Sequence, residues 1–146
     1  MKRGVSRLVC ALLAAALAGC KAPGIAMVYG TYVADYPAAA ETLTLRPDGT
    51  FIQTVTPHEG GKPVTSSGHW RFDAPTGFVI FPTGYIEVLD ALGRARPDFA
   101  QALSGMVDMP VVGCLGQLYI GTGRFVLYHK REPQNAALAF ACRQVL

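Results

Sequence analysis

The chain has 146 residues, 13 basic and 10 acidic, for a formal net charge of +3. Three of the basic residues, Lys2, Arg3 and Arg7, fall in the first nineteen, so residues 20–146 carry ten of each sign and are formally neutral. Neutrality without a Lys/Arg cluster argues against a nucleic-acid partner and against an electrostatic grip on anionic headgroups. The 127 residues left suit one small domain that buries about two-thirds of its unfolded surface.

The N-terminal segment has three parts. Lys2, Arg3 and Arg7 form a positive region, Leu8–Gly19 is an unbroken apolar run of twelve residues, and Cys20 follows small residues. A helix of that length rises only about 18 Å, short of the roughly 30 Å hydrocarbon core, so the run suits a signal peptide better than a membrane span. Leu17-Ala18-Gly19-Cys20 resembles the lipobox of bacterial lipoproteins. The resemblance implies that residues 1–19 are removed, that the Cys20 thiol carries a diacylglycerol, and that its new amino group is acylated. Three chains anchor stably where one binds only marginally. Residue 21 is Lys, not the Asp that retains enteric-type lipoproteins in the inner membrane. The implied location is the outer membrane, facing the periplasm.

Residues 20–26 read as a tether and residues 27–146 as a single β-rich domain. Met27–Val33 is rich in β-branched and aromatic residues and predicts a strand. Thr42–Val55 predicts a hairpin: Leu43 and Leu45 alternate with polar residues, Pro47-Asp48-Gly49 makes the turn, and Phe51, Gln53 and Val55 form the second inward row. Residues 57–63 form a Gly/Pro-rich loop. Further strands are predicted over Val64–Phe72, Phe78–Phe81 and Tyr85–Leu89, with Trp70 and Phe72 inward and His69 and Arg71 outward. Turn spacing of about eight to twelve residues is that of antiparallel all-β domains.

Within residues 91–105, Asp98 can open a short helix carrying Phe99 and Leu103. Pro110 demotes any strand over 106–113 to an edge. Strands are expected again over Cys114–Ile120 and Arg124–Lys130, while Ala136–Leu146 reads as either a strand or a helix. The predicted class is mainly β, an antiparallel meander or small barrel or sandwich with one short helix. The order Gly30-x-Tyr32, then Leu43-Thr-Leu-x-x-Asp48-Gly-Thr-Phe51, then Gly68-x-Trp70, is similar to the opening of many small bacterial envelope β-proteins of lipocalin-like or meander type.

Cys114 and Cys142 remain after Cys10 leaves with the signal and Cys20 is acylated. In an oxidising compartment they are expected to pair, closing a loop of about 29 residues worth roughly 3–4 kcal/mol. The alternatives are a redox pair or half a metal site, but redox cysteines usually sit two residues apart and zinc needs two more ligands. His58, His69 and His129 have no recognisable metal spacing. Ser66, Ser67 and His69 lack the Gly-x-Ser-x-Gly elbow of a hydrolase, and Gly121-Thr-Gly123 lacks the Lys-Ser/Thr of a phosphate loop. Trp70, Phe72, Phe78, Phe81, Phe125 and Tyr128 either fill a small barrel or line an apolar cavity. No metal or cofactor is called for. The function expected is a lipid-anchored, non-enzymatic envelope binding or interaction module, one form of which binds a small apolar ligand. The rival readings are a structural or assembly partner of envelope proteins and, less favoured, an unrecognised periplasmic hydrolase.

Overall fold

The computed structural model describes residues 23–90, 93–96, 99, 105–114, 116–121 and 126–131. A short helix α1 (Ile25–Val28) precedes nine strands: β1 (Gly30–Tyr36), β2 (Ala39–Leu45), β3 (Thr50–Pro57), β4 (Val64–His69), β5 (Arg71–Asp73), β6 (Phe78–Phe81), β7 (Val107–Cys114), β8 (Gln117–Gly121) and β9 (Leu127–Lys130). They form one antiparallel sheet in the order β4-β3-β2-β1-β9-β8-β7-β6-β5. The two outermost strands are halves of one extended run interrupted at Trp70. Its first half pairs with β3 and its second with β6, so the sheet curls nearly closed into a barrel. No helix among the described residues is long and apolar enough to cross a membrane.

Strand direction defines two ends. The base carries α1, the turns at 46–49 and 74–77, and Gly116; the mouth carries the turn at 37–38, the loop 58–63 and the described residues of the connection that follows Phe81. The predicted hairpin is present, its strands extending to Ala39 and Pro57, with Glu41, Leu43 and Leu45 facing inward opposite Phe51, Gln53 and Val55. The Asp48 carboxylate accepts from the Thr50 amide and hydroxyl at 2.9 and 2.6 Å, which lowers its pKa. Gly49 sits at φ +80°, the region only glycine enters without strain. Trp70 is buried beside this turn, its amide donating to Gly49 O at 2.8 Å and its indole N–H to Arg46 O at 3.1 Å.

The lower barrel is filled by Phe51, Phe81, Tyr85, Trp70, Leu43, Leu45, Tyr32 and Ile120. Phe51 and Phe81 meet edge to face at 5.0 Å, a geometry favoured by the ring quadrupoles. Gly68 allows the Phe51 ring to lie against the strand: a Cβ there would stand 2.8 Å from Phe51 Cε1 and 2.9 Å from Thr83 O. Helix α1 closes the base. Val28 is buried, its carbonyl accepting from Tyr32 Oη at 2.8 Å, and Tyr29 packs against Trp70.

Several expectations are corrected. The strand expected from Met27 starts at Gly30, because Ile25–Val28 winds into α1; the 20–26 tether therefore ends in structure. The Val64–Phe72 strand breaks at Trp70, where the chain changes neighbours. Tyr85–Leu89 is not a strand: it crosses the mouth with isolated bridge residues only, Ile86 and Leu89, the latter paired with Ala95. Pro110 lies inside β7, tolerated where pairing with β6 ends and pairing with β8 begins, so its missing N–H costs no ladder bond on the β8 side. Cys114–Ile120 is not one strand but the β7–β8 turn at Gly116. Most of the short helix expected from Asp98, the start of the Arg124–Lys130 strand, the Ala136–Leu146 tail, and Cys20 and Cys142 lie outside the described residues.

Candidate functional site

The barrel interior turns polar toward the mouth. Glu41 on β2 and Gln53 on β3 both point inward and are buried, although each alternates in phase with leucine, phenylalanine or valine. The Gln53 side chain grips the crossing connection. Its Oε1 accepts from the Ile86 amide at 2.8 Å, which fixes Nε2 as a donor to Ile86 O at 3.1 Å and to Glu41 Oε2 at 2.8 Å. One side chain thereby binds both backbone groups of a buried residue that lies outside the nine strands, where orphaned groups are costly.

Glu41 is the acceptor on which the cluster converges. Tyr36 Oη donates to Oε1, and Tyr128 Oη and Gln53 Nε2 donate to Oε2. Since Tyr128 gives its proton to Glu41, Tyr85 must donate in the 2.7 Å bond between the two phenols. The chain Tyr85 to Tyr128 to Glu41 thus runs in one direction. Loss of water raises the pKa of Glu41, and the donors from Tyr128, Tyr36 and Gln53 oppose that rise. Burial likewise pushes the Tyr85 and Tyr128 phenols up, so both stay neutral donors.

A cavity of about 320 Å³ opens on this cluster, with Glu41 and Tyr85 in its wall and Val88, Leu89, Val107, Met109, Pro110 and Val126 supplying apolar surface. A second, of about 620 Å³, lies across the connection against Tyr36, Ala38, Pro57 and Phe99. Arg96 lines both. Its Nη2 is 3.5 Å from Glu87 Oε2, and its buried Nε has no hydrogen-bond partner among the described residues.

The residues singled out from the sequence lie elsewhere. His58 pairs with Asp35 at 2.9 Å on the surface, His69 points outward from β4, and His129 sits on β9. Among the described residues no group of three His, Cys, Asp or Glu is placed to hold a metal ion. Ser67 and His69 share the outer face of β4, while Ser66 Oγ donates to Gly84 O at 2.6 Å. Cys114 ends β7. Trp70, Phe72, Phe81 and Tyr128 belong to the core and not to the cavity wall; Phe125 lies outside the described residues. Glu41, Tyr36, Tyr85 and Arg96 went unnoticed as site residues. The available signal was Glu41, an acid in register with Leu43 and Leu45 on a strand whose inward row is otherwise apolar. The chain matches no family model, no curated protein and no solved structure.

Proposed function

We propose that this protein is a lipid-anchored envelope module, held by acylated Cys20, that binds a small, largely apolar molecule at the barrel mouth without transforming it. The observation that carries the reading is the cavity of about 320 Å³ whose apolar walls end on Glu41 and Tyr85. Ligand sites combine an apolar lining with a few fixed polar groups that orient the guest. Here the apolar wall comes from Val88, Leu89, Val107, Met109, Pro110 and Val126; the polar groups are the buried carboxyl of Glu41, the phenol of Tyr85 and the guanidinium of Arg96, with Glu87, Asp90 and Asp108 also in the lining. The lipobox-like Leu17–Cys20 supports the anchor, and the curled, mostly filled sheet supports a rigid holder for the mouth.

Native mass spectrometry of the mature protein from its own envelope tests the reading. Wild type is expected to carry a small-molecule mass excess, and the cavity-filling variant Met109→Trp is expected to lose it while keeping its fold. Wild-type protein of bare polypeptide-plus-acyl mass would overturn ligand binding and favour an assembly role.

A further inference from the structure

We infer that the domain stands on the bilayer on its α1 base, with Ile25 and Met27 seated in the headgroup boundary and the cavity mouth turned to the aqueous side. This orientation rests on the lipid anchor at Cys20. Four residues lie between Cys20 and Ile25, and the five steps from one to the other, at about 3.5 Å each, reach no more than roughly 18 Å. An eight-residue strand such as β3 runs about 26 Å. The tether is therefore too short to let the mouth meet the membrane while the base points away.

The base has the surface such a contact needs. Ile25 and Met27 are 48% and 54% exposed, two of the three large hydrophobic side chains that are exposed among the described residues. They project from a turn whose other face is fixed: Val28 is buried, and Lys130 Nζ donates to Met27 O at 2.6 Å. Charge follows the same axis. Among the described residues the base carries Arg46, Arg71, Lys130 and Arg131 against Asp48 and Asp73. The mouth end carries Asp35, Glu59, Glu87, Asp90 and Asp108 against Lys62, Arg94 and Arg96. Neutrality of the whole argues against a grip on anionic headgroups, but the charge is unevenly placed: the chain presents its basic end beside the anchor, where such headgroups attract it, and its acidic end away from it. Apolar side chains flanked by basic ones are the pattern of interfacial seating. The third exposed hydrophobic residue, Met106, is 71% exposed and lies at the mouth, which makes it the internal control.

The test uses mature acylated protein reconstituted into phosphatidylethanolamine–phosphatidylglycerol vesicles whose acyl chains carry bromine. Variants Met27→Trp and Met106→Trp each add one exposed indole to the buried Trp70, and both positions lie outside the core. The indole at position 27 is expected to lose more than half of its added emission to bromine quenching and to shift blue. The indole at position 106 is expected to match its emission in unbrominated vesicles. Quenching at 106 in place of 27, or at neither, would overturn the orientation with the anchor intact. Intact mass of the same sample reports the acyl chains on Cys20, and their absence would overturn the anchor and the orientation with it.

Discussion

Replacing Gln53 with methionine isolates the clamp on Ile86. Methionine is close to glutamine in length and volume, so the substitution removes polar atoms without opening a large void. Four bonds are lost: Ile86 N–H to Oε1 at 2.8 Å, and Nε2 to Ile86 O at 3.1 Å, to Glu41 at 2.8 Å and to Tyr128 Oη at 3.5 Å. Gln53 and Ile86 are both buried, so each Ile86 backbone group that loses this partner costs about 1–3 kcal/mol. Glu41 loses one of its three donors as well. The apolar side chain returns part of this, for an expected net loss of about 3 kcal/mol. Urea unfolding followed by Trp70 fluorescence is the assay. With m of about 1–3 kcal/mol/M, the midpoint is expected to fall by roughly 1–3 M at unchanged m. Hydrogen exchange supplies the local readout, since the Ile86 amide should lose protection before neighbouring barrel amides. A loss below about 1 kcal/mol, with Ile86 still protected, would show that the connection is held by something other than this amide.

Glu41→Gln should change how stability depends on pH. A carboxyl whose folded pKa is raised contributes stability that is fully present below the ordinary carboxylate value and lost as pH rises through the folded value, about 1.4 kcal/mol for each tenfold gain in proton affinity. Wild-type melting temperature is therefore expected to decline with rising pH more steeply than that of the variant; parallel profiles would refute it. Gly68→Ala forces a methyl into Phe51 and the Thr83 carbonyl and should cost about 1–3 kcal/mol in urea unfolding. Gly49→Ala should cost about 1 kcal/mol from its φ of +80° alone, so equal losses would argue against the Phe51 packing. Cys20→Ala should abolish incorporation of labelled acyl chains, and persistent labelling would disprove the lipobox reading. A non-reducing peptide map should join Cys114 to Cys142, and recovery of both as free thiols would exclude the bridge; removing it should cost roughly 3–4 kcal/mol.

Much of the barrel could be read from strand periodicity because period-two alternation and turn residues act locally. Leu43, Leu45, Phe51 and Val55 define their inward face without help from the rest of the chain, and Pro47-Asp48-Gly49 specifies its own turn. The misreadings share a cause. Tyr85–Leu89 has strand-like composition, yet its backbone is satisfied by a side chain 33 residues earlier, Gln53, which no local pattern reports. Pro110 looked like an edge residue because the handover from β6 to β8 is a property of register, not of the residues around it. The buried site was half legible. Gln53 was placed on the inward row, but that row was read as a core, and Glu41 was passed over though it continues the row of Leu43 and Leu45. Tyr85 and Tyr128 reach Glu41 and each other across 43 and 87 residues of sequence, a distance that only the closed sheet removes.

The two ends of the barrel solve different problems. At the base, Phe51, Phe81, Trp70 and Leu45 fill the interior with apolar volume, which is the cheaper way to stabilise a small domain. Nearer the mouth β2, β3 and β9 place Glu41, Gln53 and Tyr128 inward, although well-packed apolar residues of equal size would hold the sheet at least as firmly. Part of that polar investment is structural, since Ile86 needs Gln53. Glu41 is different: among the described residues its partners are side chains only, it is costly to ionise where it lies, and its carboxyl borders a cavity whose wall also includes Tyr85 and Arg96. The fixed direction of the chain from Tyr85 through Tyr128 means that Glu41 presents itself as an acceptor before any guest arrives. Such prior orientation lowers the cost of ordering the site on binding.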